Sequence, residues 1–79
     1  MTISEAMSKK ILKICAEKKI TINKLASISL LTQSTIQNIV DGNSKNPKLL
    51  TIIRICDGLG ITLEEFFKDE LFLNIDRED

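Results

Sequence analysis

The chain has 79 residues, of which 43% are hydrophobic and 28% charged, and its mean hydropathy is +0.06. This composition is typical of a folded domain and excludes a disordered tail. A chain of this length forms one domain with a small core, which excludes a large substrate-enclosing cleft. The sequence contains no apolar run of roughly 18 residues and no signal-peptide pattern, so we expect a cytoplasmic protein without a membrane partner.

Residues suited to metal binding or catalysis are scarce. The sequence has no histidine, and its two cysteines, Cys15 and Cys56, form no CxxC pair. This pattern predicts reduced core thiols, no metal site and no cofactor. Glu64 and Glu65 are adjacent in a predicted first helical turn, so their side chains point about 100° apart, which is poor geometry for a catalytic pair. We therefore expect no catalytic residues and no enzymatic activity.

The net charge is zero, but the charges are separated along the chain. Residues 1–48 contain eight lysines and three carboxylates, a net charge of +5. Residues 49–79 contain three basic and eight acidic side chains, a net charge of −5. The first part of the chain can therefore face a polyanion, which the total charge alone would argue against.

A first helix is predicted over residues 3–19. Apolar residues recur at helical spacing from Ile3 to Cys15, and Thr2 with Glu5 forms a capping-box pattern at its start. The helix ends in lysines, which the helix dipole favours there.

A second pattern occurs three times and predicts three further helix starts. An apolar residue precedes a threonine, and another apolar residue follows four positions after it, so the hydroxyl caps the helix and the apolar pair forms a hydrophobic staple. The threonines are Thr21, Thr32 and Thr62. A fourth start is predicted at Asn46 and Pro47, as N-cap and first helical residue. The predicted helices span 22–29, 33–41, 47–58 and 63–69, which makes the fold all-α with five helices.

Only about three residues separate the second and third helices, which is the spacing of a helix-turn-helix. The segment from Thr21 to Gly42, TINKLASISLLTQSTIQNIVDG, resembles without a gap the core of the Cro/C1-type (XRE-like) helix-turn-helix family. NPKLL at residues 46–50 and LGITLEEFF at residues 59–67 are similar to that family's fourth and fifth helices. The resemblance covers about residues 8–68 and implies a compact five-helix bundle of the lambda-repressor-like type that binds double-stranded DNA.

The turn departs from the family's pattern at one position. Glycine is usual there, and this chain has Leu30. A left-handed residue with a Cβ costs about 1 kcal/mol. Either the turn adopts another conformation or the packing of Leu30 compensates for the cost.

The third helix has a polar outward face. Helical spacing places Ile36, Ile39 and Val40 on the buried side, and the outward residues are Ser34, Gln37, Asn38 and Asp41. Amides and hydroxyls both donate and accept hydrogen bonds, as base edges in the major groove require, although a merely solvated face is the alternative. The resemblance implies base contacts by Gln33, Ser34 and Asn38, with Gln37 as a fourth candidate.

The resemblance also implies a second set of residues that contact the DNA backbone. They are Thr21, Thr32, Thr35, Asn43, Ser44, Lys45, Asn46 and Lys48. Such contacts fix the register on DNA and carry no sequence information. A solvated surface is the alternative for Lys45 and for the lysines of the first helix.

Residues 69–79 follow the predicted DNA-binding domain of residues 1–68 and contain an apolar run between acidic residues. This run either folds back on the core or meets a second chain. We expect a homodimer with the run at the centre of its interface, formed by Leu71, Phe72, Leu73 and Ile75. The expected function is a sequence-specific transcription regulator, a repressor. The alternative is an antitoxin or small interaction module whose apolar run binds a toxin or another regulator.

Overall fold

A computed structural model describes residues 1–77. These residues form five α-helices and a short 3₁₀ helix. The α-helices are α1 (Ile3–Lys18), α2 (Ile22–Ile28), α3 (Gln33–Val40), α4 (Leu49–Leu59) and α5 (Leu63–Phe67), and the 3₁₀ helix spans Glu70–Phe72. The prediction of an all-α fold with five helices is confirmed. The last two residues of the predicted C-terminal segment, 78 and 79, lie outside the described residues.

Threonine caps begin four of the helices, as the sequence predicts. Each threonine hydroxyl accepts a hydrogen bond from the backbone N–H three residues later, at the starts of α1, α2, α3 and α5. At Thr2 and Thr62 the glutamate three residues later accepts a bond in return from the threonine backbone, which completes a capping box. These bonds satisfy N–H groups that have no partner within the helix.

The predicted start of α4 at Pro47 is wrong. Lys48 is extended (φ −66°, ψ 140°) and makes no capping bond, so helical dihedrals begin at Leu49. The backbone N–H groups of Asn43 and Ser44 both donate to the carbonyl of Asn38, which ties the loop to α3. The residues after Ser44 must then reach from α3 to α4, and an extended chain covers that distance with fewer residues than a helix.

The core lies between all five α-helices, with Phe66 as its largest fully buried side chain. It also contains Cys15 and Cys56, which are free thiols, and burial raises the pKa of both. None of the helices among residues 1–77 combines the length and the apolar character needed to cross a bilayer.

The chain leaves α5 two residues earlier than predicted because Asp69 is bound to α1. Asp69 Oδ2 accepts hydrogen bonds from Lys10 Nζ at 3.0 Å and Lys13 Nζ at 2.8 Å, and Oδ1 accepts one from the Leu71 backbone. The bond from Lys13, with those from Leu71 and Lys10, holds the pKa of this carboxyl well below its usual range. These contacts fix the start of the C-terminal segment against α1.

The apolar run after Asp69 folds back on the core in part, which is one of the two outcomes that the sequence left open. The Phe72 ring packs 5.0 Å from Phe67 and 6.2 Å from Phe66, measured between centroids. The Asp76 backbone N–H donates to the Met1 carbonyl at 2.9 Å, which joins the segment to the start of α1. Leu73, in contrast, is 75% exposed.

Helices α1 to α4 share one C-terminal geometry. After each helix one residue is left-handed, and the backbone N–H of the next residue donates to the carbonyl five residues before it, as in a Schellman motif. The left-handed residues are Lys19, Leu30, Gly42 and Gly60. Leu30 has φ +57° and is 85% exposed, so both sequence expectations for it are wrong: the turn keeps the geometry that favours glycine, and no packing compensates.

We predict that Leu30→Gly is more stable than Leu30→Ala by about 1 kcal/mol, because alanine keeps the Cβ that is strained at positive φ. Both variants remove the same exposed side chain, so their difference is the strain at the Cβ less the greater unfolded-state entropy of glycine. Urea unfolding followed by circular dichroism measures it. Equal free energies of unfolding for the two variants would show that the turn does not hold Leu30 in the left-handed region in solution.

Candidate DNA interface

The residues predicted to contact bases, here called the reading residues, lie on one side of α3. Gln33, Ser34 and Asn38 are exposed and Gln37 is half-buried. The opposite side of the helix is anchored in the core by Ile36 and Ile39, of which Ile36 is fully buried. The candidate residues therefore share an accessible surface whose orientation is set by the core.

The first turn of α3 carries a cluster of hydroxyl groups. Thr32 Oγ1 lies 2.8 Å from Thr35 Oγ1 and 3.2 Å from Ser34 Oγ, and it also accepts the Thr35 backbone N–H at 3.3 Å. Thr32 is thus the N-cap, as predicted, and its hydroxyl orients those of its two neighbours. Hydroxyls at a helix N-terminus can donate to phosphate oxygens, which the helix dipole also attracts.

The Gln37 side chain is held from within α3. Its Nε2 donates a hydrogen bond to Asp41 Oδ1 at 2.8 Å, and the two residues are one helical turn apart. The sequence placed both residues on the outward face, and the structure adds that they are bonded to each other.

Two residues that position α3 were not found from the sequence. Ser8 Oγ in α1 donates to the Val40 carbonyl at 2.6 Å, which fixes the C-terminal end of α3. Gly58 in α4 lies so close to the end of α2 that a Cβ built there would lie 2.6 Å from the Ile28 carbonyl oxygen. At the end of the predicted helix over 47–58, Gly58 indicates a helix stop, and nothing in the spacing distinguishes Ser8 from other polar residues of α1.

Part of the predicted backbone-contacting set comes together beside α3. A shallow depression is lined by residues of α3, the following loop and the start of α4, among them Thr35, Asn38, Ser44, Asn46 and Lys48. Asn43 is exposed in the same loop. This surface presents hydroxyl, amide and ammonium groups next to the reading residues.

Other members of that set lie apart from this depression. Lys45 lines a different one, with Thr2, Ser4 and Glu5 at the start of α1. Thr21 is exposed at the start of α2, where its side chain caps the helix. Of the α1 lysines whose role the sequence left open, Lys10 and Lys13 are paired with Asp69 and are not available to DNA in this conformation.

The sequence model of the Cro/C1-type HTH DNA-binding domain matches residues 10–71. The chain belongs to this family. The match contains the whole helix-turn-helix formed by α2 and α3 and identifies the protein as a DNA-binding transcription regulator. No curated protein and no solved structure shows significant similarity to the chain.

Within this Cro/C1-type domain, α3 occupies the position of the recognition helix that a helix-turn-helix places in the major groove. The exposed amides and hydroxyls described above lie on this helix. The loop surface around Ser44 and Lys48 adjoins it.

Proposed function

We propose that the protein is a sequence-specific repressor that inserts α3 into the major groove of double-stranded DNA. The observation that carries this proposal is the polar face of α3, exposed on one side and anchored by Ile36 and Ile39 on the other. A bound protein that covers a promoter excludes polymerase by occupancy alone, so repression needs no further contact. The proposed activity is binding, without catalysis.

Base reading is assigned to Gln33, Ser34 and Asn38, with Gln37 as the fourth reader. An amide can donate to adenine N7 and accept from adenine N6 together, and a hydroxyl can serve several base edges. Gln33 and Ser34 lie in the first turn of α3, which enters the groove foremost in this type of docking. Asn38 lies one turn further along the same face.

Backbone contacts are assigned to the residues that flank this helix. Thr32 and Thr35 act at the N-terminus of α3, Thr21 acts at the start of α2, and the loop contributes Asn43, Ser44, Lys45, Asn46 and Lys48. The depression beside α3 supports this assignment for Ser44, Asn46 and Lys48, which line it next to the reading face. Each lysine that neutralises a phosphate adds affinity by releasing a counterion, whatever the sequence.

We predict that Gln33→Ala and Asn38→Ala each weaken binding to the preferred site by about 1–3 kcal/mol and relax base preference at one or two positions. Selection from random duplex DNA identifies the site, and fluorescence anisotropy measures the affinity. Glu17→Ala is the control, because it truncates an exposed side chain of α1 to which the proposal assigns no contact. Unchanged preference in both folded α3 variants would contradict the placement of the reading helix.

We predict that Lys45→Ala weakens binding to all duplexes about equally and reduces the slope of log affinity against log salt by about one unit per bound subunit. The reason is the loss of one counterion released from a phosphate. Lys68→Ala, at the end of α5, removes the same charge and is expected to leave the slope unchanged. Loss of affinity for one sequence alone, at a constant slope, would assign Lys45 to base reading instead.

The working form is proposed to be a homodimer that joins the C-terminal segments, residues 69–79, of two copies. One module makes too few phosphate contacts for tight binding at physiological salt, and two-fold symmetry would place two reading helices about 34 Å apart on a palindromic site. Leu73 is exposed, and a groove beside it is lined by Ile3, Phe67, Phe72 and Ile75. Leu71 and Ile75 are half-buried, and Phe72 supports the interface from within its own subunit.

We predict that Leu73→Glu converts the dimer to a monomer, because it places a charge at the centre of the apolar contact. Equilibrium sedimentation at tens of micromolar measures the mass. Leu12→Glu is the matched control, since Leu12 is also exposed but lies on α1. A Leu73→Glu protein that remains dimeric would exclude this interface.

A second function is favoured by the same exposed surface. A wild-type protein that is a monomer both free and on DNA would exclude the dimer and favour the alternative, in which the groove beside Leu73 is the site at which an antitoxin or adaptor holds a toxin or another regulator. The sedimentation measurement on the wild type, with and without DNA, distinguishes this function from the dimer.

A further inference from the structure

Gln37 and Asp41 form a pair on α3 in which chemistry fixes the donor and the acceptor. Gln37 Nε2 donates to Asp41 Oδ1 at 2.8 Å. An ionised carboxylate can only accept hydrogen bonds, so the amide cannot turn over without losing this bond. The amide nitrogen therefore faces Asp41, and the carbonyl oxygen Oε1 faces away from it.

Asp41 lies at a position that is unfavourable for a negative charge, and the bond from Gln37 is the hydrogen bond that its carboxylate accepts there. It is the C-cap of α3, where the helix dipole disfavours a negative charge. It is exposed on the face that approaches a polyanion under the proposed function. The salt bridges among residues 1–77 join Lys10 and Lys13 to Asp69 and the N-terminal amine to Asp76, and Asp41 takes part in none of them.

We propose that Asp41 is a specificity-determining positioning residue, which orients Gln37 so that Oε1 reads a base with an exocyclic amino group. This inference rests on the proposed function, in which α3 enters the major groove. In that groove adenine N6 and cytosine N4 donate, whereas guanine O6 and thymine O4 only accept. The Gln37–Asp41 pair thus selects adenine or cytosine at one position of the strand it faces, and it discriminates against guanine and thymine.

Two effects favour adenine and cytosine over guanine and thymine at this position. An oxygen that meets guanine O6 or thymine O4 forms no hydrogen bond, and both atoms have lost water. The Asp41 carboxylate adds repulsion of the same sign against any base acceptor nearby. A free glutamine would avoid both effects by turning its amide to present a donor, and the bond to Asp41 opposes that turn. We expect an amino base to be preferred over a keto base by about tenfold at this position.

The test is selection of bound sequences from random duplex DNA by four full-length proteins: wild type, Gln37→Ala, Asp41→Asn and Asp57→Asn. Gln37→Ala identifies the base position that Gln37 reads, because preference disappears there. Asp41→Asn keeps the shape of the side chain but can both donate and accept, so it frees the amide to turn. Asp57→Asn is the matched control, since it removes one exposed carboxylate from α4 and leaves α3 unchanged.

The expected result is adenine or cytosine at the Gln37 position for wild type and Asp57→Asn, with guanine or thymine accepted about equally by Asp41→Asn. A wild-type preference for guanine or thymine there, or an unchanged preference in Asp41→Asn, would overturn the inference. So would selection of a specific site in which Gln37→Ala alters no position, and that result would leave the proposed function intact. If the wild type selects no sequence at all, the proposed function fails and this inference fails with it.

Discussion

The burial of Ile36 and Ile39 is the interaction on which the candidate DNA interface depends. Helix α3 has only 8 residues, and a helix of that length is unstable alone in water. Packing against the core therefore stabilises its helical conformation, and burial of each isoleucine contributes roughly 1.5–3 kcal/mol of free energy. Because helical periodicity couples the two sides, the buried pair also determines which residues face outward. The Thr32 cap and the Ser8 bond to Val40 then fix the two ends of the helix.

Features that depend on neighbouring residues could be predicted from the sequence, and those that depend on distant contacts could not. The threonine caps act over three residues, so Thr21 and Thr32 could be recognised without knowledge of the fold. The start of α4 is determined instead by the loop's bonds to Asn38, and the end of α5 by the bonds that Lys10 and Lys13 make to Asp69. No periodicity indicates such contacts. Within the candidate site, helical spacing gives the outward position of Gln37 and brings Asp41 within its reach. The bond from Ser8 to the Val40 carbonyl joins residues 32 positions apart and could not be predicted in this way.

The ion pairs that Asp69 makes with Lys10 and Lys13 reduce the effect of the charge separation along the chain. Two of the eight lysines in residues 1–48 pair with one carboxylate from the second part of the chain, whose single charge offsets one of theirs. The field that attracts DNA is therefore weaker than the formal +5 indicates. The lysines that remain free for phosphates include Lys45 and Lys48, which lie in or beside the loop that follows α3.

Because the positive field is weak, DNA recognition under the proposed function depends more on hydrogen bonds to bases than on charge. Counterion release supplies affinity for every duplex, so a protein with few free lysines has low non-specific affinity. The groups on α3 are neutral amides and hydroxyls, whose contribution depends on the base they meet. Under the proposed function the charge of Asp41 lowers affinity for all duplexes alike, while its bond to Gln37 restricts which bases that amide can accept. Only the second effect raises the ratio of specific to non-specific binding, which decides occupancy of a site among many competing sequences.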